Sequence, residues 1–184
     1  MPNQIIIFLL DTVLGLFSLA LLLRFYVQWL RIPYYHPITR FLVTITDFVV
    51  RPARRFIPSW RGLDLSTFVL AWLVQFIILI GISLLVGTRA GLFAFSLLAL
   101  VKLAGMTLNI LFVMIIVQAV LSWINPNSPL APILESFVGP ILAPFRRFIP
   151  PIANLDLSPL FALLLLQVFM IVVENLQRQI MHAF

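Results

Sequence analysis

The 184 residues are 62% hydrophobic and 10% charged, with a mean hydropathy of +1.14, whereas soluble domains carry about a quarter of their residues charged. So little polar surface cannot cover a water-facing globule, so the apolar excess must face lipid. The net charge is +6 and there are no cysteines, which excludes disulfides, thiolate metal sites and cysteine nucleophiles.

In chain order, the first apolar run, Ile5 to Leu23, is broken only by Asp11, Thr12, Gly15 and Ser18. At about 1.5 Å per residue it is long enough to span the hydrocarbon. It has no basic leader and no small-residue cleavage site, so it reads as a retained span. Arg24 is expected to snorkel to the interface, beside Tyr26 and Trp29 as belt aromatics. Next comes an amphipathic stretch: Phe41, Leu42, Ile45, Phe48, Val49, Ala53 and Phe56 recur at three and four, with Arg40, Asp47, Arg51 and Arg55 mainly elsewhere. Leu65 to Val86 is an uncharged second span. From Leu92 to Ile124 the apolar pattern exceeds one crossing and carries Lys102, so the third span is placed at Leu103 to Ile124, with Leu92 to Val101 as a lead-in or re-entrant piece. A second amphipathic stretch follows in Ile133, Leu134, Phe137, Val138, Ile141, Leu142 and Phe145. Pro52 and Pro144 are expected to interrupt or kink the two stretches just before paired arginines. The fourth span, Leu157 to Val173, ends in Glu174, Asn175, Gln177 and Arg178.

The chain repeats itself. Arg-Arg-Phe-Ile-Pro occurs at 54–58 and at 146–150, and at the same offset of 92 Pro37 falls on Pro129, Pro52 on Pro144, Leu63-Asp64-Leu65-Ser66 on Leu155-Asp156-Leu157-Ser158, and Gln75 on Gln167. Trp29 and Trp123 are 94 apart, a shift of two residues in the intervening turn. The unit of span, loop, basic phrase, Asp-Leu-Ser and span thus occurs twice, at 1–88 and 89–184. Two spans per unit is an even number, so the copies share one orientation as parallel repeats. The expected fold class is an all-α membrane protein of four transmembrane helices, in two tandem parallel hairpin repeats with cytoplasmic amphipathic segments. Arg31, Arg40, Arg51, Arg54, Arg55, Arg61, Arg146 and Arg147 lie in the two long loops, against Arg89 and Arg178 opposite, which puts the loops in the cytoplasm and both termini outside.

The candidate residues follow from that arrangement. Arg54, Arg55, Arg146 and Arg147 are placed to bind anionic lipid headgroups or an acidic partner protein. Asp64 and Asp156 stand ten residues after Arg54 and Arg146, a spacing that suits a salt bridge folding each loop back. Ser66 and Ser158 are expected to cap the second and fourth spans, Ser158 with Pro159 at the first helical position. Gln75 and Gln167 fall near mid-span and need partners there, either between helices or along a polar path that Lys102, Asn109 and Glu174 extend. No metal or cofactor is expected, since neither His36 nor His182 has a second ligand at a suitable spacing. No nucleic acid is expected, because the aromatics sit in apolar runs. No nucleophile and base constellation or phosphate loop is present, so the chain reads as non-enzymatic.

"VLSWINPNSPL" at Val120 to Leu130, then "PFRRFIP" and "NLDLSP", resemble the signature of the YggT family of bacterial membrane proteins, also called the YGGT repeat family. The resemblance covers nearly the whole chain; the first copy departs from it with "VQWLRIPYYHP". It implies a multi-pass protein of the bacterial inner membrane. It also implies roles linked to osmotic stress tolerance and potassium balance or to cell division and envelope organisation; plastid relatives are linked to haem attachment and nucleoid distribution. The favoured reading is an assembly, envelope-organisation or osmotic-stress factor with division or assembly proteins as partners. The alternative is a small channel or transporter component, as a homo-oligomer.

Overall fold

The computed structural model describes residues 2–33, 36–58, 63–87, 91–125, 128–148 and 156–183. Arg61 and Arg89 of the charge count lie outside them, as do Pro126, Asn127, Pro150, Asn154 and Leu155 of the quoted motifs. Among the described residues there are six α-helices: α1 Pro2–Trp29, α2 Pro37–Ala53, α3 Leu65–Val86, α4 Leu92–Ile124, α5 Ala131–Phe148 and α6 Ser158–Ala183. Four of them, α1, α3, α4 and α6, are long and apolar enough to cross a membrane.

Two expectations about these helices are narrowed. α4 is one unbroken helix of 33 residues, so Leu92 to Val101 is a helical lead-in continuous with the span and not a re-entrant piece. At about 1.5 Å per residue it is near 50 Å long, well beyond the hydrocarbon thickness. Lys102 can stay inside it because Asp11 of α1 supplies a carboxylate 3.3 Å away. Nor does Pro144 stop α5, which contains Pro140 and Pro144 and runs on through Arg146 and Arg147. In α2, by contrast, Pro52 sits in the last turn and Arg54 and Arg55 lie just past the helix end.

The chain forms two compact units, 1–104 with 176–184, and 105–175. In the first, α1 and α3 form an antiparallel hairpin. Ser18 Oγ donates to the Ala71 carbonyl at 3.1 Å, and the rings of Phe25 and Phe68 meet at 5.4 Å. At Gly81 a Cβ would stand 3.2 Å from Leu10, so a small residue lets the helices close together where no hydrophobic force separates lipid from protein. Leu21, Leu22, Ala71 and Ile78 are fully buried. α1 ends in a Schellman turn: Ile32 N–H bonds Val27 O and Arg31 N–H bonds Gln28 O, each at 3.0 Å. Arg31 holds the left-handed position at φ 54, where glycine is usual. Gly87 takes that position at the end of α3, with φ 79.

α2 packs against α1 and α3 through Thr39, Leu42, Thr46 and Val50. Ile38, Phe41, Phe48 and Phe56 form a separate, exposed apolar stripe. The amphipathic stretch read from sequence therefore has two apolar sides, one for the protein and one for its surroundings. In the second unit α5 buries Leu134, Phe137, Val138 and Leu142, so the counterpart of Ile45 turns inward as Phe137.

Candidate functional site

The paired arginines divide their work. Arg54 donates from Nε and Nη2 to Asp64 Oδ2, at 3.1 and 2.5 Å. Asp64 is buried and Arg54 is 43% exposed. Arg146 donates from Nε to Asp156 Oδ2 at 3.0 Å, and from Nη1 to Glu135 Oε1 at 2.7 Å. The first arginine of each phrase therefore closes the loop onto the start of the next long helix, over the ten-residue spacing seen in the sequence. The second arginines, Arg55 and Arg147, are exposed and stand in no ion pair among the described residues.

The electrostatics follow the pairs. Glu135 hydrogen-bonds Arg146 and, despite the cost of partial burial, raises its pKa above the usual guanidinium value, with Asp156 adding to the effect. Burial pushes the Asp156 carboxyl up, but hydrogen bonds from Ser158 and Arg146 outweigh it and hold the carboxyl below the ordinary aspartate value.

The serines do not cap as expected. Ser66 Oγ donates to Ile57 O at 2.7 Å, and Thr67 Oγ1 donates to Asp64 O at 2.7 Å. Ser66 thus ties the tail of the Arg-Arg-Phe-Ile-Pro phrase to α3. At α6 the roles are reversed: Ser158 is the first helical residue and its N–H is accepted by Asp156 Oδ1 at 2.9 Å. The aspartate two residues ahead, a stronger acceptor than a hydroxyl, takes the orphan donor.

Gln75 is buried, whereas Gln167 is exposed on α6, so the two copies of this position have different surroundings. Asn109 is exposed and donates to the Gly105 carbonyl of its own helix at 3.0 Å, and Lys102 pairs with Asp11.

Three constellations were not anticipated. Arg24, expected to snorkel, is 3% exposed and turns onto α2: it donates to Thr46 Oγ1 at 2.8 Å, Val43 O at 3.4 Å and Asp47 Oδ1 at 2.9 Å. Arg51 adds a second contact to Asp47 at 2.7 Å. Burial would raise the Asp47 carboxyl, but the Arg24 hydrogen bond and the charges of Arg24 and Arg51 hold it below the ordinary aspartate value. Lys102 with Asp11 is the second, and Gln118 of α4 donating to Glu135 of α5 is the third. The sequence signal for each was a polar residue alone in an apolar run, which shows that a partner is needed without saying which.

The model of the CCB3/YggT family matches the chain twice, over residues 3–85 and 97–177. The chain belongs to the CCB3/YggT family. Two bacterial relatives described as uncharacterized proteins support this. One from Pseudomonas aeruginosa is 37% identical over 179 residues, covering 95% of this chain and 91% of the relative. The YggT protein of Escherichia coli is 34% identical over 172 residues, covering 92% and 90%. The chloroplastic YlmG homolog protein 2 of Arabidopsis thaliana is 44% identical over 64 residues, 34% of this chain. No solved structure matches. In this CCB3/YggT chain both family matches contain a complete latch pair, Arg54 with Asp64 and Arg146 with Asp156.

Proposed function

We propose that this CCB3/YggT protein is a non-enzymatic, multi-pass component of the bacterial inner membrane that docks anionic lipid headgroups through Arg55 and Arg147 on its cytoplasmic side. The observation that carries the reading is the division within the repeated phrase. Arg54 and Arg146 are spent on carboxylates, whereas Arg55 and Arg147 are exposed and stand in no ion pair among the described residues. A juxtamembrane arginine near an anionic leaflet contributes about 1 kcal/mol of attraction. Ile38, Phe41 and Phe48 add an exposed apolar stripe on the helix that precedes Arg55, and exposed Phe56 follows it, which suits a segment lying in the headgroup and acyl boundary. A membrane protein held in this way acts as an assembly, envelope-organisation or osmotic-stress factor, presenting its basic face to lipid and to division or assembly partners.

The test is reconstitution of the full chain in nanodiscs of phosphatidylglycerol and phosphatidylcholine, with retained lipids counted by native mass spectrometry. Loss of phosphatidylglycerol from Arg55→Ala/Arg147→Ala, with the unfolding temperature unchanged, supports the reading. Potassium flux through proteoliposomes of the same double variant and of the wild type would instead favour a channel component.

A further inference from the structure

The two units hold the same corner in two versions. At the offset that aligns Trp29 with Trp123, Arg24 of α1 corresponds to Gln118 of α4. At the offset of 92, Val43 corresponds to Glu135 and Asp47 to Gly139. In the first unit the corner is closed: the Arg24 guanidinium fills it, held by Thr46 and Asp47. In the second unit a shorter, neutral amide stands in place of that cation, and glycine stands in place of the aspartate. Glu135 folds back across Gly139, where a Cβ would lie 2.9 Å from its Oε1. A cavity of about 340 Å³ remains, lined among others by Gln118, Ser122, Glu135 and Arg146 on its polar side and by Leu121 and Pro132 on its apolar side.

The chemistry of this corner asks for a cation with several N–H donors. Gln118 gives its amide N–H to Glu135, and its Oε1 is buried with no partner among the described residues. Arg146 neutralises only one of the two carboxylates it touches, Glu135 and Asp156, so the corner is left with a negative charge. The cavity also lies at the end of the apolar segment Leu92–Ser122. Its volume is at the lower end of the range for small-ligand sites.

We infer that this corner binds a primary ammonium group, as carried by an aminophospholipid headgroup, which donates to Glu135 and the Ser122 hydroxyl and replaces the cation that the first unit supplies from its own chain. The inference goes beyond the anionic-lipid reading and does not depend on it. A quaternary ammonium has no N–H to give, and phosphatidylglycerol has no cation, so neither fits.

The experiment uses the full chain in nanodiscs holding equal amounts of phosphatidylethanolamine, phosphatidylcholine and phosphatidylglycerol, with retained lipids counted by native mass spectrometry. Phosphatidylethanolamine should be retained about tenfold over phosphatidylcholine, the ratio expected from one charge-assisted hydrogen-bond set. Glu135→Gln should abolish that preference and leave phosphatidylglycerol retention unchanged, which separates this site from Arg55 and Arg147. Because Glu135→Gln also loosens Arg146, a second variant, Gln118→Arg/Glu135→Val/Gly139→Asp, writes the first unit's residues into the second. It should fold, fill the corner with its own guanidinium and lose the preference. In phosphatidylcholine discs, added ethanolamine that raises the unfolding temperature of wild type but not of Glu135→Gln, without any lipid preference, identifies a free amine as the source. Equal retention of the three lipids together with no response to ethanolamine overturns the site, as does a folded triple variant that keeps the preference.

Discussion

Asp64 and Asp156 occupy the same place in the two repeats, yet they are not worth the same. Asp64 is buried and receives two donations from Arg54, whereas Asp156 is 31% exposed and shares Arg146 with Glu135. Asp64→Asn is expected to cost about 2 kcal/mol, in the range for hydrogen bonds to a charged group. Asp156→Asn should cost about 0.5 to 1 kcal/mol, as for a solvent-screened pair. Unfolding temperatures of the two variants in detergent, followed by tryptophan fluorescence, check the order. Acid should act through the carboxylates that are held low. The native pKa values of Asp47 and Asp156 lie below their unfolded values, so the stability they add is present above the unfolded value, near 3.9. That stability is lost as pH falls through the native values. A titration of unfolding temperature should therefore be flat from neutral pH down to about 5 and then fall. Arg31 offers the opposite case. A left-handed non-glycine residue costs about 1 kcal/mol, so Arg31→Gly should raise stability by about that much, read by the same melt.

At the scale of elements, α3 was legible to the residue, because an uncharged run bounded by Asp64 and Gly87 admits one reading. The two amphipathic helices were legible from their spacing. α4 was legible only in part: Lys102 argued for starting the span at Leu103, and the group that lets the helix run on through it, Asp11, lies 91 residues earlier. Arg24 was misread for the same reason. Its partners, Thr46 and Asp47, come from the next helix, and a lone arginine at a span end looks like any snorkelling residue until α2 is in place. The candidate site was half legible. The ten-residue spacing pointed to both latches, while Glu135 gave no sign that Gly139 leaves room for its carboxylate. Pairing of Lys102 with Asp11 predicts a double-mutant outcome: Asp11→Leu alone leaves a lysine in the span and should cost about 1 to 3 kcal/mol. Asp11→Leu/Lys102→Leu should recover most of it, measured as unfolding temperature in matched detergent.

At the scale of the molecule, one phrase written twice closes two loops and leaves two arginines over. Each latch ties the end of an amphipathic segment to the residue just ahead of the next long helix, so the position of the neighbouring arginine is set by the fold and not by the ligand. A preorganised cation loses less freedom on binding than a floppy one, which makes a surface guanidinium useful for docking. The comparison of the two arginines in each phrase bears most directly on this account. Unfolding temperature and phosphatidylglycerol retention should be measured side by side for Arg54→Gln/Arg146→Gln and for Arg55→Gln/Arg147→Gln. The account predicts that the first pair lowers the unfolding temperature, and that the second leaves it unchanged while phosphatidylglycerol is lost. If the second pair destabilises the fold as much as the first, or keeps its phosphatidylglycerol, the division of labour within the phrase is contradicted.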